Sequence, residues 1–192
     1  MPHRLTRHPD SKSTEVHSIT VNAMRAGKPN ALLVSYVVEG AIVRLAVPEK
    51  RFQLQRADEL WRHTCFEIFL KPPQNTSEAE PYIELNFSPS MQWAAYRFRE
   101  RRRGMQNIDI PPPALDIHAG LQLEVMAVVD LTGVAELPEN RPWKANITAI
   151  IEQADGVMSY WALKHAPDKA DFHHPDGFVL DLPPPETKPE QR

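Results

Sequence analysis

The segment YIELNFSP, residues 82–89, alternates apolar residues with a phenol, a carboxylate and an amide. This period of two predicts a β-strand with one face in the core and with Tyr82, Glu84 and Asn86 on the other face. Carboxylates and amides form hydrogen bonds with the hydroxyl groups of polar ligands, and a charged acceptor forms the stronger bond. The pattern therefore predicts a strand that carries a polar binding face.

A second acidic residue, Glu67, belongs to the strand-like segment CFEIFL, residues 65–70. If this strand pairs with the strand at 82–88, alternation places Glu67, Glu84 and Asn86 on one shared face. On the concave outside of a curved β-sandwich, these side chains would form a polar groove.

The alternative is an ordinary solvated face on which Glu84 pairs with Arg97 or Arg99, since surface ion pairs are common and contribute little stability. Glu67 argues against it, because this residue stands between aromatic residues of its own strand. A partly buried glutamate normally has a partner. The groove is therefore the preferred interpretation.

The two glutamates also admit a catalytic interpretation. Glu67 and Glu84 have the residue types of a glycosidase acid and base, which lie roughly 5–9 Å apart in such enzymes. Cys65 and His63 have the types of a nucleophile and its base, but their spacing offers no third orienting group. Cys65 is therefore predicted to be a small packed residue, and we assign no catalytic residue. An enzyme stays open as an alternative to a binding protein.

Histidine and methionine residues raise the question of haem, whose axial ligands are His, Met or Cys. No CxxCH motif is present, which excludes covalent c-type attachment. The candidate axial ligands are His63, His165, His173, His174, Met91, Met105 and Met158. A lone histidine is more often a hydrogen-bonded or surface residue, so we predict no cofactor and keep haem as an alternative.

The pair His173-His174 stands beside Asp171 and Asp176 and could suggest a metal site. Adjacent side chains on an extended segment diverge, so both histidines rarely bind one ion. We therefore predict a polar loop that caps the groove, and no metal.

Composition limits the partners. The 192 residues carry a formal net charge of -3, which is not typical of a general nucleic-acid binder. The basic run RFRERRRGM, residues 97–105, is interrupted by Glu100 and is interpreted as a strand end and a loop. The sequence shows no signal-peptide-like segment and no stretch of roughly 20 apolar residues. We therefore expect a cytoplasmic protein that binds neither nucleic acid nor membrane; the pattern leaves its oligomeric state open.

The sequence predicts that short strands, separated by proline-rich turns, position these residues. A fold of nine to ten strands with few helices predicts an all-β class and an antiparallel β-sandwich, jelly-roll-like. Residues 1–14 are predicted to be an arm, 15–182 the domain and 183–192 a disordered tail. The predicted strands are 16–21, 31–38, 41–48, 65–70, 82–88, 92–98, 121–131, 147–153, 157–165 and 178–182.

Four motifs give the chain a family resemblance. They are LWRHTCFEIFL (60–70), YIELNFSPSMQWAAYRF (82–98), RGM (103–105) and SYWALKHAPDKADFHHPDGFVLDL (159–182). The chain resembles the bacterial DOMON-like domain proteins, which are similar to family-9 carbohydrate-binding modules. The resemblance implies a β-sandwich that binds a ligand, and wider relatives bind either sugar or haem.

The resemblance also implies site residues. Related sugar binders place a tryptophan six residues before a glutamate, and Trp61 and Glu67 have that spacing. Polar residues two apart follow on the next strand, where this chain has Glu84 and Asn86. The first of these positions is often basic in the sugar binders and is acidic here. A second aromatic residue closes on the sugar, and Trp161, Phe172 and His173 are the candidates.

The resulting prediction is non-catalytic binding of a small polar ligand, a carbohydrate or glycoconjugate fragment, in a concave groove. The predicted ligand-binding residues are Trp61, Glu67, Glu84, Asn86, Arg97 and Trp161.

Overall fold

The computed structural model describes residues 1–12, 15–26, 30–73 and 80–185, and within them the chain forms fourteen strands and three short 3-10 helices. The strands are β1 (His3–Arg4), β2 (Thr6–Arg7), β3 (Val16–Arg25), β4 (Ala31–Gly40), β5 (Gln55–Arg56), β6 (Cys65–Lys71), β7 (Tyr82–Ser88), β8 (Gln92–Phe98), β9 (Gln106–Asn107), β10 (Ala114–Ala119), β11 (Gln122–Asp130), β12 (Trp143–Glu152), β13 (Met158–Ala162) and β14 (Leu180–Leu182). The 3-10 helices are Ile42–Arg44, Leu60–Arg62 and Pro175–Gly177.

The strands form two sheets. The first sheet has the order β1-β3-β4-β11-β10, and the second has the order β2-β13-β12-β6-β7-β8-β5, with β14 on β12 and β9 on β8. All pairings are antiparallel except the short parallel pair β5–β8. The predicted all-β class and antiparallel β-sandwich are confirmed.

The inner faces of the two sheets form the main core, because one side of every long strand is apolar. In β4 the buried positions alternate along the strand, as period-two patterning requires. In the second sheet, β6 and β7 are buried at every position. Their inner faces meet the first sheet, so their outer faces must be covered by other parts of the chain.

The predicted strand at 41–48 is wrong. Ala41 donates its N–H to Glu15 O at 2.8 Å, a 3-10 helix follows, and Ala46 donates to Glu152 O at 2.8 Å. The segment therefore crosses from the first sheet to the second and does not fold back as a hairpin. Its apolar residues do not form one continuous buried face, since Ile42 is buried whereas Val43 is 93% exposed.

The N-terminal residues lie against the domain as part of both sheets. β1 pairs with β3 of the first sheet and β2 pairs with β13 of the second, so one short segment joins the edges of the sandwich. The first long strand, β3, has an irregular pairing with β4, with a register shift between Val16 and Ser18. Most of the predicted tail, residues 186–192, lies outside the described residues. No helix in the described ranges is long and apolar enough to cross a membrane.

Candidate functional site

The polar face predicted from β6 and β7 is the outer face of the second sheet. Glu67 lies directly opposite Asn86, and Phe69 lies opposite Glu84, so both glutamates and the amide project to the same side. Alternation on both strands fixes this arrangement, because their other side chains fill the core between the sheets.

Segments beyond the strands build walls around this face. The 3-10 helix at 60–62, the loop at 99–105 and the long loop at 163–179 contribute side chains to it. They enclose a cavity of about 350 Å³ in which two carboxylates face aromatic rings. Its glutamate and aromatic lining consists of Glu67, Glu84, Trp61, Phe69, Phe98, Tyr160 and Phe172.

Glu67 is buried at the floor of the cavity, with 2% of its surface exposed. Its Oε2 accepts a hydrogen bond of 3.0 Å from the hydroxyl of Thr148 on the neighbouring strand β12. Burial, together with the nearby charge of Glu84, raises the pKa of the Glu67 carboxyl well above its ordinary value. The protonated form of this carboxyl is therefore favoured more strongly than in a solvent-exposed glutamate.

Glu84 lies beside it and is 4% exposed. Asn86 donates a hydrogen bond of 2.8 Å from Nδ2 to Glu84 Oε1. Burial raises the pKa of Glu84 to about 7, although the Asn86 bond and the positive charge of Arg102 act in the opposite direction. The carboxyl thus changes its protonation state near neutral pH.

Asn86 is fully buried behind the two glutamates. Only the nitrogen of its side-chain amide forms a hydrogen bond with them. Its Oδ1 has no hydrogen-bond partner in the described part of the protein. An unpaired buried carbonyl is costly, so this oxygen is an acceptor in need of a donor.

His173 closes one side of the cavity. Its Nδ1 and the hydroxyl of Tyr82 share a hydrogen bond of 2.7 Å. Burial, reinforced by the charge of Arg102, lowers the pKa of His173 to about 4, so the ring is neutral at pH 7. Its Nε2 lies 4.0 Å from Glu84 Oε2 and therefore forms no ion pair there at neutral pH.

Arg102 brings the only positive charge among the described lining residues, and an ion-pair network holds it in place. Its Nε and one terminal nitrogen donate to Asp171 Oδ1 at 3.1 and 3.0 Å. Arg101 donates to the other oxygen of the same carboxylate. The backbone of Arg102 has a left-handed φ of 58°, uncommon for a residue with a side chain, and its N–H donates to Tyr82 Oη at 3.1 Å.

Trp61 reaches the cavity from the 3-10 helix that precedes β6. Its ring meets Tyr96 edge to face at 5.9 Å between centroids. Tyr96 lies opposite Glu84 in the sheet and donates its hydroxyl to Asp58 Oδ1 at 2.8 Å. These contacts fix the segment before β6 so that an indole lies beside the two glutamates.

Three of the predicted site residues do not line the cavity. Asn86 is on the predicted face but lies buried behind the glutamates, whereas Arg97 and Trp161 lie on the opposite side of the sheet, and both of these departures follow from strand parity. Arg97 is next to Tyr96 in β8, so it projects to the opposite side of the sheet, where it donates to Glu136 at 3.0 Å. Trp161 lies opposite Ala149 and packs in the core between the sheets. The alternative in which Glu84 pairs with Arg97 does not hold, since Glu84 is bonded to Asn86 and Arg97 to Glu136.

The sequence interpretation missed Arg102, Tyr160 and Phe98. Tyr160 is the neighbour of Trp161 and lies opposite Ile150, which also lines the cavity. Phe98 follows from continuing the alternation of β8 one step beyond Tyr96. Arg102 was hidden in a basic run whose members have no periodic pattern. Of the two other candidates for a closing aromatic ring, Phe172 and His173 both line the cavity.

Haem ligation does not fit this site. Among the candidate axial ligands, His173 and Met105 line the cavity. The Nδ1 of His173 is bonded to Tyr82, and its Nε2 faces the carboxyl of Glu84. His174 instead accepts an N–H from Asp176 at 3.3 Å, and no group of three or more potential ligands is placed to hold a metal ion within residues 1–12, 15–26, 30–73 and 80–185.

The chain matches no protein-family model, and no curated protein matches its sequence. Its structure is similar to that of a family-9 carbohydrate-binding module from Caldicellulosiruptor kristjanssonii in complex with glucose. The two are 14% identical, with a TM-score of 0.50 over 90% of this chain and 78% of that chain. At this identity the likeness establishes a shared β-sandwich fold.

Proposed function

We propose that this protein binds a small polar ligand, a carbohydrate or glycoconjugate fragment, in the cavity on the outer face of the second sheet. The observation that carries the proposal is the placement of two buried glutamates, Glu67 and Glu84, among aromatic rings in one open cavity. A protein surface that only meets water has no need for buried carboxylates, which are costly to desolvate.

The chemistry of a sugar suits this lining. A pyranose has apolar faces of C–H groups, which aromatic rings such as Trp61 can cover. Its hydroxyls lie around the equator, where Glu67 and Glu84 can accept their hydrogen bonds. A volume of about 350 Å³ lies near the lower end of the roughly 300–1,000 Å³ that small-molecule sites occupy, so a short ligand fits best.

Two further observations support the same ligand class. The glucose-bound module from C. kristjanssonii shares the fold. The motifs at 60–70 and 82–98, which gave the resemblance to DOMON-like proteins, supply Trp61, Glu67 and Glu84 to the cavity. The DOMON-like assignment itself is part of this proposal.

Calorimetric titration with a panel of mono- and disaccharides tests the proposal. We expect at least one sugar to bind the wild type, and Trp61→Ala to weaken that binding about tenfold through the loss of ring contact. Phe52→Ala is the matched control, since Phe52 is a fully exposed aromatic residue outside the cavity. A wild type that binds no sugar, or equal affinities for wild type and Trp61→Ala, would contradict the proposal.

Glycoside hydrolysis is the second candidate function, because Glu84 has a pKa of about 7 and stands beside another carboxyl. A general acid needs a raised pKa of this kind. Hydrolysis predicts release of new reducing ends from any oligosaccharide that binds, and loss of that release in Glu84→Gln. Binding without release over long incubation would contradict hydrolysis and favour a binding protein.

A further inference from the structure

In the part of the chain that the structure describes, neither cavity glutamate forms an ion pair with a lysine or an arginine. Within the described residues, no lysine or arginine nitrogen lies within 4.0 Å of a carboxylate oxygen of Glu67 or Glu84. Their hydrogen bonds come from the hydroxyl of Thr148 and the amide of Asn86, both neutral. Buried carboxylates are normally paired, because removal from water without a counter-charge is costly.

The nearest permanent cation is already engaged. Arg102 lines the cavity, but its guanidinium forms two hydrogen bonds to Asp171, whose side chain is 4% exposed. His173, the other basic side chain at this wall, is bonded to Tyr82 and is neutral at pH 7. Arg101 and Arg102 share the single carboxylate of Asp171, so the carboxyl groups of Glu67, Glu84 and Asp171 outnumber the two guanidinium groups at this wall.

The floor of the cavity offers mainly hydrogen-bond acceptors to a ligand. The carboxyl groups of Glu67 and Glu84 line it. Behind them, directly opposite Glu67 on the same face, lies the buried Oδ1 of Asn86, which has no partner among the described residues. An ammonium group brings three donors and a positive charge to such a floor.

Building on the sugar-binding function proposed above, we propose that the preferred ligand is an amino sugar whose ammonium group is held by Glu67 and Glu84. The ammonium supplies the missing counter-charge, and the remaining hydroxyls and the ring occupy the aromatic part of the cavity beside Trp61 and Phe172. An anionic sugar is disfavoured, because its charge would meet two carboxyl groups at the cavity floor.

Ammonium binding also has a consequence for protons. In the free protein, burial favours the protonated form of the glutamate pair. A bound ammonium favours the ionised form, so the pair loses protons as the ligand enters. Binding of a neutral sugar does not favour the ionised form of the pair in this way.

Calorimetric titration at pH 7 with glucosamine, glucose and N-acetylglucosamine tests this inference. The acetylated sugar keeps the nitrogen substituent but removes its charge. We expect glucosamine to bind at least about tenfold more tightly than either neutral sugar, the ratio that a charge-assisted hydrogen bond provides. Titration in two buffers of different ionisation enthalpy is expected to show proton release from the protein for glucosamine alone.

Three isosteric variants identify the residues responsible. Glu67→Gln and Glu84→Gln each keep the shape of the side chain and are expected to bring the glucosamine-to-glucose ratio close to one. Glu124→Gln, on the exposed face of the first sheet, makes the same change of net charge and is expected to retain the ratio. Far-UV circular dichroism checks that each variant is folded. If a variant does not fold, the comparison of the three sugars on the wild type still tests the preference for an amino sugar.

The outcomes separate this inference from the function on which it rests. Binding of glucose with equal or weaker binding of glucosamine would overturn the amino-sugar inference and leave sugar binding in place. Binding of none of the sugars in the wider panel would contradict the proposed function and the inference together.

Discussion

At the residue scale, the ionisation of Glu84 is governed by the environment of the sheet face. Glu84 is buried and neighbours Glu67 across the strand pair. The hydrogen bond from Asn86 and the positive charge of Arg102 favour its ionised form, but they only partly offset the effect of burial on its pKa. Its pKa rises from an ordinary 4.5 to about 7. Folding therefore binds protons at this site between those two pH values.

This raised pKa predicts a stability that falls with increasing pH. Below about pH 4.5 Glu84 is protonated in both the folded and the unfolded protein, so its burial does not reduce the free energy of unfolding. As the pH rises to about 7, only the unfolded protein ionises freely at this residue, and the free energy of unfolding falls. Glu84→Gln is expected to stabilise the protein at pH 8 by about 1–3 kcal/mol and to have little effect at pH 4.5, where the glutamate is already neutral. Urea unfolding at both pH values measures the difference.

The control for this prediction is Glu124→Gln, whose exposed side chain should give nearly the same free energy of unfolding as wild type at both pH values. Equal stability of wild type and Glu84→Gln at pH 8 would show that the cavity does not penalise ionisation of Glu84.

At the element scale, two loops cover the outer face of the second sheet, and one carboxylate joins them. Asp171, in the loop at 163–179, accepts hydrogen bonds from Arg101 and Arg102 in the loop at 99–105. It also accepts the backbone N–H of His173 at 3.1 Å. Burial opposes ionisation of Asp171, but the bonds from both arginines outweigh it and lower its pKa.

Asp171→Asn tests this connection between the loops. We expect the substitution to reduce the free energy of unfolding by about 1–3 kcal/mol, because two guanidinium groups lose their buried counter-charge. It should also weaken ligand binding, since Arg102 and His173 both line the cavity. Thermal unfolding and calorimetric titration measure the two effects.

Asp168→Asn is a matched control for that variant, because Asp168 lies in the same loop and is exposed. It should leave stability and binding close to those of wild type. If Asp171→Asn behaved like Asp168→Asn in both assays, the ion pairs between the loops would have no role in holding the cavity walls.

At the scale of the whole molecule, the binding face and the core share a strand. Tyr36 of the first sheet donates its hydroxyl to the backbone oxygen of Glu67 at 2.8 Å, across the interior of the sandwich. Tyr36 is 1% exposed, and its ring lies 4.9 Å from that of Phe66, a core-facing residue of β6, at an interplanar angle of 52°. The first sheet therefore supports the strand whose opposite face carries a cavity glutamate.

Tyr36→Phe removes this hydrogen bond with little change in packing. We expect the free energy of unfolding to fall by about 1–2 kcal/mol, the cost of leaving a buried acceptor with one fewer donor. The denaturant dependence of that free energy should not change, because both sheets still unfold together. A changed slope, or two separate transitions in urea, would contradict a single cooperative sandwich.

Sequence patterns predicted the site where they were periodic and failed where they were not. Alternation in 65–70 and 82–88 placed Glu67, Glu84 and Asn86 on one face, and the register of β6 with β7 agrees. The choice of Trp161 over Tyr160 failed because residues 147–151 of the neighbouring strand are almost all apolar. Nothing in that pattern distinguishes the core face from a cavity face.

The sequence alone determined the central strands at 65–70 and 82–88, their two faces and the polar character of one face, because side-chain alternation is a local property of an extended chain. Only the tertiary structure decided that this face is walled into a cavity, that Arg102 is matched to Asp171 and that Glu84 is buried enough to titrate near neutral pH. These features depend on loops that are distant from β7 in the chain and lack periodicity. Their positions follow from packing, which no local pattern encodes.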